Sequence, residues 1–241
     1  MVEHGSGPPL VVVPGLPGPW KFVAPAVHAL SMYFHVLALS LGPECDLDVE
    51  AGRIAAALDE RHIDRAIVCG ISFGGLIAAR FAATHPKQTA ALVLVSTPGP
   101  GARLRPHHRL YLRWPWLLGP LFMLETPFRL WRELHRSQLT ALLTSRISFA
   151  SMARRATLIE STDIAADCTR ITAPTLVVTG EPRFDNVVPV ENTLEYLRAI
   201  PGSRHVTIED TGHLGSVTRA ATFAEIVKAF VGRPTSRSEV A

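Results

Sequence analysis

The sequence Gly70-Ile71-Ser72-Phe73-Gly74-Gly75 separates two patterns of different kind. The apolar run 66–69 before it is typical of a buried strand, and the small-residue run 76–83 after it is typical of a helix. Glycines two residues before and two residues after the serine predict a turn so tight that neither position has room for a side chain. Such a turn holds its serine in a strained backbone conformation, with the hydroxyl above the edge of a sheet.

The rest of the chain repeats the alternation of strand and helix. Strands are predicted at Leu10–Val13, His35–Leu39, Ala66–Ile71, Ala91–Val95, Thr175–Thr179 and Arg204–Ile208. Helices are predicted at Pro19–Met32, Leu47–Arg61, Gly75–His85, Val190–Ile200 and Ser216–Val231. Because apolar strands without polar alternation are separated by helices, we expect an α/β fold with a mostly parallel, doubly wound sheet that is covered on both faces.

The predicted helix over 47–61 has a recognisable beginning. Asp46 and Asp48 carry side-chain oxygens that suit a helix N-terminus. Its apolar stripe is expected to consist of Val49, Ile54, Ala57 and Leu58.

The alternation is interrupted between Pro100 and Thr169. This stretch shows no strand pattern and holds three of the four tryptophans. We expect an inserted helical cap over 100–169, a core formed by 1–99 and 170–233, and a flexible tail over 234–241. The aromatic and methionine side chains of this stretch could line an apolar substrate pocket or equally form the core of the cap. They are Trp114, Trp116, Phe122, Met123, Phe128 and Trp131. Trp20 is a further candidate for the pocket wall.

The cap is also strongly basic. Residues 101–160 contain ten arginines and three acids, a net charge of +7, whereas the rest of the chain has fourteen basic and eighteen acidic residues, net −4. This charge has four interpretations. The arginines could form solvated helix faces, bind an anionic substrate, bind an acidic membrane surface, or form a contact in a homo-oligomer.

Composition excludes several classes of protein. The chain of 241 residues is 47% hydrophobic and 19% charged, which is typical of a globular domain. Three cysteines without a Cys-x-x-Cys pair, and an N-terminus without a secretory pattern, lead us to expect a cytoplasmic protein. The longest apolar run is broken by prolines, so no transmembrane segment is expected, and no motif indicates nucleic acid, a metal or an organic cofactor.

The turn predicts Ser72 as a nucleophile, and a serine nucleophile needs a base. The chain has ten histidines, so the base has to be chosen by its position relative to the predicted strands. His213 lies in the sequence Asp210-Thr211-Gly212-His213, directly after the last predicted strand. The carboxyl ends of parallel strands are where open α/β sheets place their functional sites. We therefore predict His213 as the base.

The base needs an orienting carboxylate, which is expected in the loop after the strand 175–179. That loop offers Asp185 and, four residues earlier, Glu181. We favour Asp185 and keep Glu181 as the alternative.

The reaction also needs donors for an oxyanion. The backbone N–H of Phe73, at the start of the helix, is the first candidate. The loop Pro14-Gly15-Leu16-Pro17-Gly18 offers the N–H of Leu16, since its prolines have none.

Together these segments resemble the α/β-hydrolase superfamily over essentially the whole chain. The resemblance is carried by the entry 5–15, the nucleophile elbow and its helix over 70–86, the acid strand and loop over 173–185, and the histidine loop 211–213. The chain departs from the usual pattern in having Pro14 before Gly15 in place of histidine, and Ser40 where relatives often have aspartate. Few residues precede Gly5, so a truncated N-terminal hairpin is expected.

The resemblance implies a serine hydrolase that cleaves small-molecule carboxylic esters through Ser72, His213 and Asp185, by way of an acyl-enzyme. Enol-lactonases and carbon–carbon bond hydrolases share this architecture and remain alternatives. The latter tend to carry tryptophan just after the histidine, where this chain has Leu214. A ligand-binding protein that kept the triad, and an acyltransferase, are alternatives of other classes.

Overall fold

The computed structural model describes residues 1–104, 106–117, 136–185 and 187–232. Within these ranges the strands are β1 (Val2–His4), β2 (Pro9–Val13), β3 (His35–Ala38), β4 (Ala66–Ile71), β5 (Thr89–Val95), β6 (Thr175–Thr179) and β7 (Arg204–Thr207). They form one sheet in the order β1-β3-β2-β4-β5-β6-β7. Only β1 among them is antiparallel to its neighbour, with Glu3 opposite Leu37, and the other pairs are parallel. The predicted α/β class with a mostly parallel sheet is therefore confirmed.

The six strands predicted from apolar runs all form, with ends shifted by at most two residues. The central strand β4 is buried along its whole length, as expected of a strand covered on both faces. Strand β1 was not predicted, because Val2-Glu3-His4 is short and polar and pairs with a strand that lies far away in the sequence.

Helices cover both faces of the sheet. Within the described ranges the helices are α1 (Ala24–Leu30), α2 (Leu47–Asp59), α3 (Gly74–Thr84), α4 (Pro106–Arg113), α5 (Arg136–Thr144), α6 (Phe149–Ser161), α7 (Ile164–Cys168), α8 (Val190–Leu194), α9 (Tyr196–Ala199), α10 (Gly215–Thr218) and α11 (Ala220–Val231). A 3₁₀ turn over Trp20–Val23 precedes α1, so the helix expected at 19–32 is divided.

The sheet separates two apolar clusters. On one face α2 and α3 bury side chains such as Ile54, Leu58 and Phe81. On the other face α1 and α11 bury Val27 and Phe223, among others. Strands β2 to β6 each contribute to both clusters, which holds their carboxyl ends in fixed positions.

Helix α2 begins as predicted but faces the core differently. The Asp46 carboxylate accepts hydrogen bonds from the N–H groups of Asp48 and Val49. Val49 is 45% exposed, however, and Glu50 is only 2% exposed. The buried residues are at positions 47, 50, 51, 54 and 58. This is the spacing of one helix face, and that face includes Glu50 and not Val49.

Between β5 and β6 the described residues form the helices α4 to α7 and no strand. Helix α7 packs against α3, and its Ile164 and Cys168 belong to the core cluster. The division of the chain into core and cap stays a prediction. Among the described helices, none has both the length and the apolarity that crossing a bilayer requires.

Candidate active site

Ser72 lies at the turn between β4 and α3. Its backbone has φ +55°, the left-handed region that non-glycine residues rarely adopt, and its N–H donates to the Val95 carbonyl at 2.8 Å. A hydrogen bond to the neighbouring strand thus holds a strained residue at the end of the sheet. Such strain is typical of functional positions.

The glycines around Ser72 are required by close backbone contacts. A Cβ on Gly70 would lie 2.4 Å from the Gly74 carbonyl oxygen, and a Cβ on Gly74 would lie 2.2 Å from the Val13 carbonyl oxygen. Neither obstacle is a side chain that could move. The turn therefore excludes larger residues at both positions, as the spacing of the motif predicts.

His213 faces the serine from the loop after β7. Its Nε2 lies 3.0 Å from Ser72 Oγ, and the residue is 6% exposed. The loop folds back through Asp210, which has φ +56°, and through Gly212, whose Cβ would lie 2.4 Å from the Phe184 carbonyl oxygen. The histidine loop is therefore packed directly on the loop that carries the candidate acids.

Asp185 is the acid that contacts the imidazole. Its Oδ2 lies 3.2 Å from His213 Nδ1, while its Oδ1 accepts hydrogen bonds from the N–H groups of Val187 and Val188, each at 3.0 Å. The carboxylate is 6% exposed as a residue, so these partners take the place of water. With the Nδ1 proton directed at Asp185, the Nε2 lone pair faces Ser72.

Glu181, the alternative acid, is engaged elsewhere. Its carboxylate accepts the Asp210 N–H at 2.7 Å and pairs with Arg183 at 2.6 Å. The Asp210 N–H, followed by the Arg183 side chain, holds the pKa of Glu181 below its ordinary value. Glu181 thus fastens the beginning of the histidine loop, while Asp185 faces its imidazole.

The two predicted oxyanion donors lie in the segments that flank Ser72. Phe73 follows the serine directly, and the loop of Leu16 approaches it so closely that a Cβ on Gly15 would lie 3.7 Å from Ser72 Oγ. Among the described residues, no hydrogen bond uses the N–H of Leu16 or of Phe73. Both groups therefore keep their donor capacity for a ligand.

A cavity of about 150 Å³ opens above Ser72. Its wall is lined by Leu16, Ser72, Pro98, Ala102, Arg103, Leu104, Tyr111, Leu112, Pro115, Phe149, Met152, Ala153, Ala156, Ile159, Val187, Val188, Pro189 and Asn192. Most of these side chains are apolar, and Arg103 alone among them carries a charge. Since the lining residues come from the loops after the strands and from helices α4 and α6, the cavity lies between the strand ends and these two helices.

Several residues predicted to line the pocket lie elsewhere. Trp20 packs against the rings of His4 and His28, away from the cavity wall. Trp114 and Trp116 are 46% and 71% exposed, although Leu112 and Pro115 from the same segment line the cavity. Phe122, Met123, Phe128 and Trp131 lie outside the described residues.

The wall formed by α6 was not predicted. Its cavity-lining positions 149, 152, 153, 156 and 159 follow a helical spacing. That stripe was visible in the sequence, but the aromatic residues of the insertion were the stronger signal.

Three of the described arginines between β5 and β6 lie in different environments. Arg103 lines the cavity, Arg109 pairs with Glu160 at 2.8 Å, and Arg155 is buried at 5% exposure. Within the described ranges, no group of three or more His, Cys, Asp or Glu side chains converges as metal ligands would.

The sequence and the fold both have known counterparts. A family model described as "Alpha/beta hydrolase family" matches residues 10–226. Among curated proteins, the chain is 26% identical over 256 residues to "Putative carbamate hydrolase RutD" of Pseudomonas syringae pv. syringae (strain B728a), a match that covers 95% of each protein.

Two solved structures illustrate the shared fold. The esterase EaEST from Exiguobacterium antarcticum superposes with a TM-score of 0.84 at 19% identity, covering 96% of this chain and 94% of the esterase. The enol-lactonase from Burkholderia xenovorans LB400 superposes with a TM-score of 0.79 at 23% identity, covering 96% of this chain and 95% of the lactonase. Identities this low indicate a common fold and leave the substrate open.

Proposed function

Because the chain belongs to the alpha/beta hydrolase family, we propose that it is a serine hydrolase that cleaves carboxylic esters through Ser72, His213 and Asp185. The observation that supports this proposal most strongly is the hydrogen-bonded series from Ser72 Oγ to His213 at 3.0 Å and from His213 to Asp185 at 3.2 Å. Nucleophile, base and orienting acid are then in contact at the carboxyl ends of β4, β7 and β6.

In the first half of the proposed reaction, Ser72 Oγ attacks the ester carbonyl while His213 Nε2 takes the serine proton. The N–H groups of Leu16 and Phe73 stabilise the oxyanion of the tetrahedral intermediate. The intermediate then breaks its carbon–oxygen bond to the alcohol, which leaves with the proton from His213. An acyl group remains on Ser72.

In the second half, water attacks the acyl-enzyme and gives a proton to His213. Collapse of the second tetrahedral intermediate releases the carboxylic acid and returns the proton to Ser72 Oγ. Throughout, Asp185 keeps the imidazole in the tautomer with its proton on Nδ1 and stabilises the imidazolium that forms.

The cavity wall supports an uncharged, apolar substrate. Side chains such as Leu112, Met152 and Ile159 offer carbon surface to an acyl chain or an apolar alcohol. Among the described residues of the wall, an anionic substrate would find one arginine, Arg103, whose side chain is exposed. Lactones present the same carbonyl in a ring, and a known enol-lactonase has this fold, so lactones belong among the substrates to be tested.

The test combines a substrate panel with a covalent probe. We expect the purified protein to hydrolyse p-nitrophenyl esters and lactones with apolar acyl groups faster than matched anionic ones, and to be labelled by a fluorophosphonate. Ser72→Ala should lose both properties. Ser31→Ala should keep both, since Ser31 Oγ only bonds the His28 carbonyl at a helix end.

Three results would contradict the proposal. Labelling of folded Ser72→Ala to the wild-type extent would place the nucleophile elsewhere. A folded wild-type protein that is neither labelled nor active would favour a binding protein, and turnover only with an added acceptor alcohol would favour an acyltransferase.

A further inference from the structure

Arg155 is a buried cation that connects the inserted helix α6 to the candidate active site. Its side chain is nearly inaccessible, with the residue 5% exposed, although it follows the exposed Arg154. Its neighbours Met152 and Ala156 line the cavity. The helix that shapes the cavity therefore also carries this guanidinium.

The guanidinium donates to two loops at once. Nη1 donates to the Leu16 carbonyl at 2.8 Å, and Nη2 donates to the Gly42 carbonyl at 2.7 Å. Leu16 lies in the loop after β2, and Gly42 lies in the loop after the adjacent strand β3. Gly18 adopts φ +97° beside the same group, and a Cβ there would lie 2.8 Å from Nη1. The loop 14–18, which carries the proposed oxyanion donor Leu16, is thus folded around the guanidinium of Arg155.

The buried charge of Arg155 has an acidic neighbour. Burial lowers the pKa of Arg155, while the nearby Cys45 and Glu50 side chains raise it. Glu50 is itself 2% exposed, accepts the Gly42 N–H at 2.7 Å and pairs with Arg53 at 2.6 Å. Burial raises the pKa of Glu50, and its hydrogen bonds from Gly42 and Arg53 oppose this effect. Gly42 is therefore held from both sides, through its carbonyl by Arg155 and through its N–H by Glu50.

We propose that Arg155 is a positioning residue that fixes the Leu16 N–H for the oxyanion, so that the inserted helix controls the rate of the chemical step. This inference rests on the proposed function. The planar guanidinium spans two carbonyls in one geometry, which a lysine ammonium cannot reproduce. Because preorganised donors act mainly on the transition state, displacement of Leu16 lowers kcat more than it changes KM.

The experiment compares Arg155→Met and Arg155→Lys with Arg154→Met. Arg154 is the matched control, since it is exposed on the same helix and donates to the Pro43 carbonyl and to Ser151 Oγ rather than to Leu16. Each variant is assayed for thermal unfolding, for kcat and KM on an apolar p-nitrophenyl ester, and for affinity to two inhibitors. One inhibitor is a trifluoromethyl ketone, which forms an oxyanion on Ser72, and the other is an ether of the same shape, which has no carbonyl.

For Arg155→Met we expect kcat to fall roughly 10- to 100-fold, the range of a misplaced oxyanion donor, with KM changed only a few-fold. Affinity for the ketone should fall by the same factor, while affinity for the ether stays unchanged. Arg155→Lys should recover only part of the loss, and it provides the same comparison if Arg155→Met does not fold. Arg154→Met should match the wild type.

Unchanged kcat and unchanged ketone affinity in folded, Ser72-dependent enzyme would overturn this inference and leave the proposed function standing. An equal loss of ether binding, or a rise in KM alone, would overturn it in favour of a role in pocket shape. Wild-type protein without Ser72-dependent turnover would overturn the proposed function and this inference together.

Discussion

At the scale of single residues, the two oxygens of Asp185 have different tasks. Oδ1 is held by the N–H groups of Val187 and Val188, so Oδ2 is the oxygen that faces His213. The orientation of the carboxylate is therefore set by the backbone of its own loop.

This asymmetry makes Asp185→Asn an informative change. The two N–H donors will hold the amide oxygen in the place of Oδ1, which directs the amide NH₂ at His213 Nδ1. The imidazole must then carry its proton on Nε2, where it cannot accept the proton of Ser72. We expect kcat to fall roughly 10³- to 10⁴-fold with the fold intact, as measured by ester hydrolysis and circular dichroism.

Glu181→Gln is the control for that measurement, because Glu181 lies in the same loop and contacts Asp210 and Arg183. It should stay within a few-fold of wild-type activity. An equal loss in both variants would mean that the loop as a whole, and not Asp185, supports the reaction.

The positions of the three proposed catalytic residues could be predicted from the sequence. Ser72, His213 and Asp185 each follow a strand in a turn with a local signal, and parallel strands bring such turns to one edge. Arg155 and Glu50 had no such signal. Arg155 is buried against carbonyl groups of two loops that lie far away in the sequence. For Glu50, a helix periodicity that started from Val49 placed the residue on the wrong face.

At the scale of elements, the packing of α3 against the strand ends depends on Gly75. A Cβ on Gly75 would lie 2.0 Å from Thr97 Oγ1 and 2.7 Å from Thr97 Cβ, and Thr97 is completely buried. Helix α3 can therefore begin directly behind Ser72 only if this position has no side chain.

We expect Gly75→Ala to lower the free energy of unfolding by about 1–3 kcal/mol, the usual cost of overpacking. Gly52→Ala should have the opposite sign, since Gly52 is exposed in the interior of α2 with nothing within 4 Å of its Cβ. There the helix gains roughly 0.5–1 kcal/mol from the better helix former. Urea titration measures both, and a Gly75→Ala protein as stable as the wild type would show that α3 can shift away from Thr97.

At the scale of the whole molecule, the parallel sheet carries the proposed catalytic residues at its strand ends, and helices α4 and α6 pack over them. The sheet was predictable because each strand has its own apolar pattern, whereas the cavity depends on how α4 and α6 pack over the strand ends. Side-chain direction on those helices decides which residues face the substrate. The aromatic content of the insertion therefore pointed to Trp114 and Trp116, although Met152 and Ala153 form the wall.

The same geometry predicts that α6 sets the size of the acyl group. Ala153 is half-buried on the cavity wall, while Ala150 is exposed on the same helix. Phenylalanine at 153 would project into the cavity, whereas at 150 it would reach solvent. For Ala153→Phe we expect kcat/KM to fall steeply for long acyl esters and to change little for acetate, while Ala150→Phe keeps the wild-type profile. An equal loss for acetate and long esters in Ala153→Phe would mean that the substitution disturbs Ser72 or its donors, and an unchanged profile would mean that the acyl chain leaves the cavity by another side.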